Sequence, residues 1–141
     1  MKLDLSSLEK AVDSLERTSR VATSDEKMAP LDKDQRDAVR AGVIQNFEFT
    51  YELSWKFMQR WLKDEQTQTE AAIPRTRKDL FRMAARFGLV RGPEPWFEYG
   101  EARNLTSHAY SEAKAEIVFQ AAVRFVTDAR YLLDQLEKRN G

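Results

Sequence analysis

Apolar residues recur at intervals of three and four along most of the chain, the spacing of helices that each bury one face. Four segments show this pattern: roughly residues 4–22, Asp32 to about Lys63, about Arg75 to a terminating glycine at Gly88, and about Ser111 to Lys138. A polar connector covers Thr23 to Pro30, and Pro93 and Pro95 begin a further helical stretch. No convincing strand and no repeat interrupts the pattern. It therefore predicts one domain, residues 1–141, folded as an all-α, up-and-down bundle of four to five helices.

The second predicted helix is apolar on more than one side. Its main stripe consists of Ile44, Phe47, Tyr51, Trp55, Met58 and Leu62. Further apolar residues lie on its other sides: Val43, Phe49, Leu53, Phe57 and Trp61. A helix of this kind is usually buried on several sides. Two interpretations follow: the bundle itself covers the whole helix, or the extra face forms an interface between subunits.

Composition narrows the classes of function. The chain has 141 residues, one histidine and no cysteine, which excludes disulfides, thiolate catalysis and zinc sites built from several imidazoles. No clustered Asp/Glu pattern indicates a metal, and neither a phosphate-binding glycine loop nor a nucleotidyltransferase signature is present. No cofactor is therefore predicted. Without a signal peptide or a long apolar run, we expect a cytoplasmic protein that does not enter a membrane.

Charge is balanced overall but uneven locally. The 23 Lys and Arg residues equal the 23 Asp and Glu residues, which argues against a protein that coats nucleic acid through bulk positive charge. Between Arg75 and Arg91, however, six basic residues accompany only one acid. Arg75, Arg82 and Arg86 are seven and four residues apart, so they are expected to share one face of the third helix. This face is the candidate for guiding RNA; the alternative is an ordinary solvated surface.

The segment from Arg103 to Tyr110, RNLTSHAY, contains the chain's single histidine. An imidazole exchanges protons near neutral pH, and a guanidinium offers several donors to phosphate oxygens. In a straight helix Asn104 and His108 share a face, whereas Arg103 and His108 point about 140° apart. Two routes would bring the latter pair to one phosphate: the helix loosens near Ser107, or a second copy of the segment faces the first.

These residues also have a purely structural interpretation. A lone histidine beside Ser and Thr is commonly a hydrogen-bonding residue, and Arg-x4-His alone is a weak signal. Asn104 would then be an amide that packs between helices, and Tyr110 a core ring with its hydroxyl at the surface.

RNLTSHAY resembles the Arg-x(4–6)-His motif of HEPN domains, in the form Arg-Asn-x3-His-x-Tyr. The segment Gln45–Lys56, QNFEFTYELSWK, is similar to the long helix of one HEPN branch. This branch comprises the nucleotidyltransferase substrate-binding proteins, grouped with the HepT-like toxins. The resemblance covers essentially the whole chain. It implies a helical bundle that forms a homodimer or higher homo-oligomer, with two motifs around a cleft.

The resemblance also implies roles for individual residues. Arg103 and His108 match the family's catalytic pair, Asn104 its polar companion, and Tyr110 the tyrosine that receives AMP. The implied function is a metal-independent endoribonuclease toxin that cleaves RNA by attack of the 2′-hydroxyl. Its partner would be a cognate minimal nucleotidyltransferase antitoxin, which silences it by modifying Tyr110. The alternatives are a non-catalytic accessory subunit that binds substrate for a nucleotidyltransferase, and a purely structural helical dimer.

Overall fold

A computed structural model describes residues 2–65, 74–108 and 111–140 of the chain. Its helices are α1 (Ser6–Ala22), α2 (Asp25–Met28), α3 (Lys33–Glu65), α4 (Arg77–Arg86), α5 (Glu94–Leu105) and α6 (Glu112–Arg139), with a 3₁₀ turn at Thr106–His108. The predicted all-α class and the helical segments are confirmed, with boundaries shifted by up to about two residues. The described ranges contain no strand. None of the described helices is both long and apolar enough to cross a lipid bilayer.

The segments before and after α3 are both predicted as irregular connectors. The stretch predicted as a polar connector contains the single turn α2, because the Ser24 hydroxyl accepts a hydrogen bond from Lys27 N at 3.2 Å. The polar sequence of Gln66–Pro74 predicts an exposed loop, and of this segment only Pro74 lies among the described residues.

Three long helices, α1, α3 and α6, pack on one another, and α4 and α5 cover the remaining sides of α3 and α6. The centre of the core is aromatic. The Phe125 ring lies 5.3 Å from Phe47, 5.2 Å from Trp96 and 4.8 Å from Tyr99, all in edge-to-face contact. These contacts join α3, α5 and α6 around one point. The position of α5 is therefore fixed by its own buried face.

The surplus apolar surface of α3 is mostly covered within the chain. Val43 and Phe57 are fully buried, and Leu53 and Trp61 are half-buried against the core. Phe49, in contrast, is 59% exposed. Coverage by the chain's own bundle therefore explains the apolar pattern at every one of these positions except Phe49.

A polar network centred on Tyr99 and Asp128 also fastens α5 to α6. The Tyr99 hydroxyl donates a short hydrogen bond to Asp128, whose other carboxylate oxygen lies 2.7 Å from Arg91 Nη2. Burial first, and then the hydrogen bond to and the charge of Asp128, raise the pKa of the Tyr99 phenol. The tyrosine is thus held as a neutral donor. It lies one turn before Arg103, so the network anchors the helix that carries the histidine segment.

The turn after α4 requires a glycine. Gly88 has φ +77°, and Leu89 N donates to Ala84 O at 2.9 Å across it. This is the hydrogen-bond pattern that ends many helices at a left-handed residue. The predicted C-terminal glycine is confirmed.

Candidate functional site

Arg103 lies in the last turn of α5 and faces two glutamates of α3. Its Nε is 3.2 Å from Glu52 Oε1, and its Nη1 is 3.6 Å from Glu48 Oε2. All three side chains are about one-third exposed. The two acids were missed in the sequence, although their spacing of four residues places them on one face of α3. Only the packing of α5 against α3 reveals that this face meets Arg103.

Contacts at Nη1 and Nε orient the Arg103 guanidinium. Nη1 donates to Thr106 Oγ1 at 2.9 Å, and Thr106 Oγ1 in turn donates to the Arg103 carbonyl at 2.8 Å. Nε is buried and close to Glu52 but is not aligned to donate a hydrogen bond to it. Among the described residues, Nη2 has neither a hydrogen bond nor an ion pair. The donors of Nη2 are therefore available for an oxygen of a ligand.

The backbone changes character immediately after Arg103. The α-helix ends at Leu105, and Thr106–His108 forms a tighter 3₁₀ turn. With about 100° per α-helical and about 120° per 3₁₀ residue, Arg103 and His108 point about 160° apart. The helix does not loosen near Ser107 as one expected route required. The tighter turn also swings His108 away from Asn104, so the expectation that these two share a face is wrong for this backbone.

His108 is exposed at the end of this turn. Its carbonyl accepts a hydrogen bond from Ser111 N at 3.1 Å, which links the turn to the start of α6. Its imidazole has no hydrogen-bond partner among the described residues. The Ser107 hydroxyl donates to the Asn104 carbonyl at 3.3 Å rather than to the ring. Within the described chain, the imidazole is therefore accessible to a ligand. Tyr110 lies outside the described residues.

Arg103 opens onto a shallow groove of about 490 Å³ along the outer side of α3. Its lining residues are Gln45, Asn46, Glu48, Phe49, Glu52, Leu53, Lys56 and Arg103. The exposed Phe49 ring is thus a neighbour of the arginine. Charged and apolar surface meet at this point of the molecule.

The predicted basic face is only partly formed. Thr76 caps α4 by accepting a hydrogen bond from Asp79 N at 3.0 Å, so the helix begins at Arg77. Arg75 precedes the cap and cannot share a helical face with Arg82 and Arg86, which corrects the expectation for that residue. The latter two are exposed on α4, and Arg82 Nη1 lies 3.2 Å from Asp79. A patch of two arginines remains.

The segment thus holds a partly fixed cation, an accessible imidazole and several hydroxyls. Within residues 2–65, 74–108 and 111–140, no three acidic or imidazole side chains converge in a way that would hold a metal ion. The chemistry these side chains can perform is proton transfer at His108 combined with charge stabilisation at Arg103.

Comparison with known proteins adds independent findings. Residues 3–138 match the family model described as nucleotidyltransferase substrate binding protein like. A Haemophilus influenzae protein named probable ribonuclease HepT is 39% identical over 140 residues, which is 99% of this chain and 95% of that protein. A solved Haemophilus influenzae structure, described as the fold of a substrate binding domain of a nucleotidyltransferase, superposes with a TM-score of 0.89. It is 36% identical, and the match covers 95% of this chain and 99% of that one. A Thermus thermophilus structure matches with a TM-score of 0.65 and 26% identity over 94% of this chain and 97% of its own.

Proposed function

The chain belongs to the nucleotidyltransferase substrate binding protein-like family, and from that premise we propose that it is a metal-independent endoribonuclease toxin. The name of the Haemophilus relative, probable ribonuclease HepT, supports this class. One structural observation carries the proposal. Arg103 is partly buried and its Nη2 has no partner among the described residues, while His108, five residues later in the same segment, is exposed. Those two groups are the ones that metal-free RNA cleavage requires.

The active unit in this proposal contains two copies of the chain. Arg103 and His108 diverge by about 160° within one copy, so a single phosphate cannot contact both. A second copy related by a twofold axis would bring its own segment to the opposite side of the phosphate. The exposed Phe49 beside Arg103 supplies apolar surface for such an interface. The homodimer is therefore part of the proposed mechanism.

RNA provides the nucleophile. One His108 imidazole takes the proton of the 2′-hydroxyl, whose oxygen forms a bond to the adjacent phosphorus. The bond from phosphorus to the 5′-oxygen breaks, and that oxygen receives a proton from the imidazole of the second copy. Arg103 stabilises the negative charge on the non-bridging oxygens. The products are a 2′,3′-cyclic phosphate and a 5′-hydroxyl, and the proton transfer contributes about 10²–10⁴-fold in rate.

Glu48 and Glu52 act as positioning residues in this proposal. Their carboxylates lie nearest to Nε and Nη1 of Arg103, and Nη2 is left to face the substrate. Two acids beside one arginine also oppose phosphate binding in the ground state. Arg103 must therefore be oriented so that its attraction for the phosphate grows in the transition state, as negative charge develops on the non-bridging oxygens.

Regulation by a partner completes the proposal. The phenol oxygen of Tyr110 attacks the α-phosphorus of ATP in a cognate minimal nucleotidyltransferase, and pyrophosphate leaves. The resulting AMP ester places a bulky anion two residues from His108, where it competes with RNA by charge and volume. Only the sequence resemblance supports this step. Intact-mass measurement after co-expression should show an AMP adduct that is lost in Tyr110→Phe; the absence of any adduct would remove the step.

Expression in a bacterial host tests the ribonuclease proposal. Wild-type protein should stop growth and degrade RNA, and His108→Ala and Arg103→Ala should both be harmless. Arg17→Ala removes an exposed arginine from α1 and is the matched control, which should remain toxic. Equal growth with wild type and His108→Ala would contradict cleavage.

A second candidate is a non-catalytic accessory subunit of a nucleotidyltransferase. The description of the superposed Haemophilus structure as a substrate binding domain favours it. In that function Arg103 and His108 bind a nucleotide phosphate without cleaving RNA. Wild type and both variants would then be equally harmless in cells, while Arg103→Ala would weaken nucleotide binding in the purified complex.

A further inference from the structure

A second cavity lies between α3, the start of α4 and α5, and neither Arg103 nor His108 lines it. Its volume is about 420 Å³, which is within the range of about 300–1,000 Å³ typical of small-molecule sites. Its walls combine aromatic rings, cations and a few polar groups. The lining residues used below are Tyr51, Trp55, Arg77, Gly100, Glu101 and Asn104.

The floor of this cavity contains a hydroxyl that has no hydrogen-bond partner within residues 2–65, 74–108 and 111–140. It belongs to Tyr51, which is fully buried. A buried donor without a partner costs roughly 1–3 kcal/mol. Gly100 gives this hydroxyl room against α5, because a Cβ at that position would lie 2.9 Å from the Tyr51 oxygen. Burial raises the pKa of the phenol, and the nearby Arg77 guanidinium opposes this shift. The Tyr51 hydroxyl is therefore protonated and can donate a hydrogen bond to an acceptor on a ligand.

The rim of the cavity is basic. Arg75, just before α4, and Arg77 and Lys78 in its first turn line the rim, and none of them has a carboxylate partner among the described residues. The Arg77 guanidinium carbon lies 4.2 Å over the Trp55 ring. A guanidinium over an aromatic ring gains from cation–π attraction and keeps its N–H donors for an oxygen of a ligand. This arrangement suits a ligand with both a phosphate and a base.

The opposite rim connects the cavity to the histidine segment. Glu101 and Asn104 line it from α5, and both are exposed. A carboxylate and an amide at this position accept hydrogen bonds from ribose hydroxyls or from exocyclic amines. Asn104 follows Arg103 in the chain, so the cavity and the proposed cleavage site share the last turn of α5.

We propose that this cavity binds one nucleotide unit, with the base against the Arg77–Trp55 pair and the Tyr51 hydroxyl, and the phosphate at the basic rim. The unit is either a residue of bound RNA or a free nucleoside monophosphate. The RNA source rests on the proposed function, whereas binding of a free nucleotide does not. Within one chain, the cavity would select which base lies beside the scissile phosphate.

Binding of AMP and of a short single-stranded oligoadenylate to His108→Ala protein tests the proposal. This background cannot cleave RNA in the proposed mechanism, so the result does not depend on ribonuclease activity. Adding Arg77→Ala should raise Kd by about tenfold or more, the effect of losing a charged hydrogen bond. Arg60→Ala is the matched control, because it removes an exposed arginine of α3 that does not line the cavity. Its Kd should stay within about twofold of the parent.

The arms separate the possible outcomes. Arg77-dependent binding of AMP alone assigns the cavity to free nucleotides, and Arg77-dependent binding of the oligonucleotide assigns it to RNA. If neither ligand binds, or if Arg77→Ala changes Kd no more than Arg60→Ala, the cavity is not a nucleotide site and the proposal is overturned. Failure of wild-type protein to cleave RNA would refute the proposed function but would leave the AMP arm unaffected.

Discussion

Removing one hydroxyl from α5 should measurably loosen the bundle. Tyr99→Phe keeps the ring, which is 3% exposed and packs 4.8 Å from Phe125. It removes only the hydrogen bond to Asp128, a side chain that is 12% exposed and still paired with Arg91. A hydrogen bond to a charged group is worth about 1.5–3 kcal/mol. We take about 2 kcal/mol, because the carboxylate retains its arginine.

That loss corresponds to a clear change in Tm. For a chain of this length, 1 kcal/mol shifts Tm by about 3–5 °C, so Tyr99→Phe should melt about 6–10 °C below wild type. Tyr131→Phe is the matched control. Its ring carries the same Arg91 guanidinium at 5.5 Å, but its hydroxyl has no hydrogen bond among the described residues. It should melt within about 2 °C of wild type.

Calorimetry or thermal circular dichroism at pH 7 would measure both variants. If Tyr99→Phe melts within about 2 °C of wild type, or no lower than Tyr131→Phe, the hydroxyl does not fasten α5 to α6. The explanation of how the arginine-bearing helix is held would then be wrong.

Three further predictions concern Tyr99, Glu52 and the two exposed arginines of α4. Because burial and Asp128 raise the pKa of Tyr99, the stabilisation that its hydroxyl contributes is complete below about pH 10 and is lost as pH rises further. Urea unfolding should therefore show a smaller difference in unfolding free energy between wild type and Tyr99→Phe at about pH 11 than at about pH 8. Glu52→Gln should lower kcat for RNA roughly tenfold with KM nearly unchanged, because the substitution misorients Arg103. Its Tm should stay within about 2 °C of wild type, since exposed ion pairs contribute only about 0–1 kcal/mol. An unchanged kcat would contradict the positioning role of Glu52. Replacing Arg82 and Arg86 by glutamate should weaken RNA binding. In a salt titration it should also reduce the steepness of log K, the RNA association constant, against log salt by about 1.4. An unchanged slope would mean that neither arginine contacts phosphate.

The helices could be predicted because each buries a face whose residues recur with the helical period. Gly88 was recognisable too, since the chain needs a left-handed residue where the α4 pattern stops. The 3₁₀ turn at Thr106–His108 could not be predicted. Within it the Thr106 hydroxyl accepts a hydrogen bond from the Arg103 guanidinium and donates one to the Arg103 carbonyl, and the spacing of apolar residues carries no information about such contacts.

The candidate site was predictable in its chemistry but not in its surroundings. The residues Arg103, Asn104 and His108 stand together in the sequence, so their chemistry can be read directly. The acids that meet Arg103 are about fifty residues away and depend on how α5 crosses α3. The fate of Phe49 was equally hidden, because an apolar residue of α3 is buried or exposed according to which neighbour covers it. The spacing of apolar residues predicts which residues share one face of a helix. Which helix that face packs against is known only from the folded structure.

Cleavage of purified cellular RNA in EDTA, with the fragment ends identified, tests the central claim most directly. Wild-type protein should give 2′,3′-cyclic phosphate and 5′-hydroxyl ends at the same rate with EDTA and with added magnesium. His108→Ala should reduce that rate by about 10²–10⁴-fold. A strict requirement for magnesium, or cleavage that survives in His108→Ala, would contradict the account.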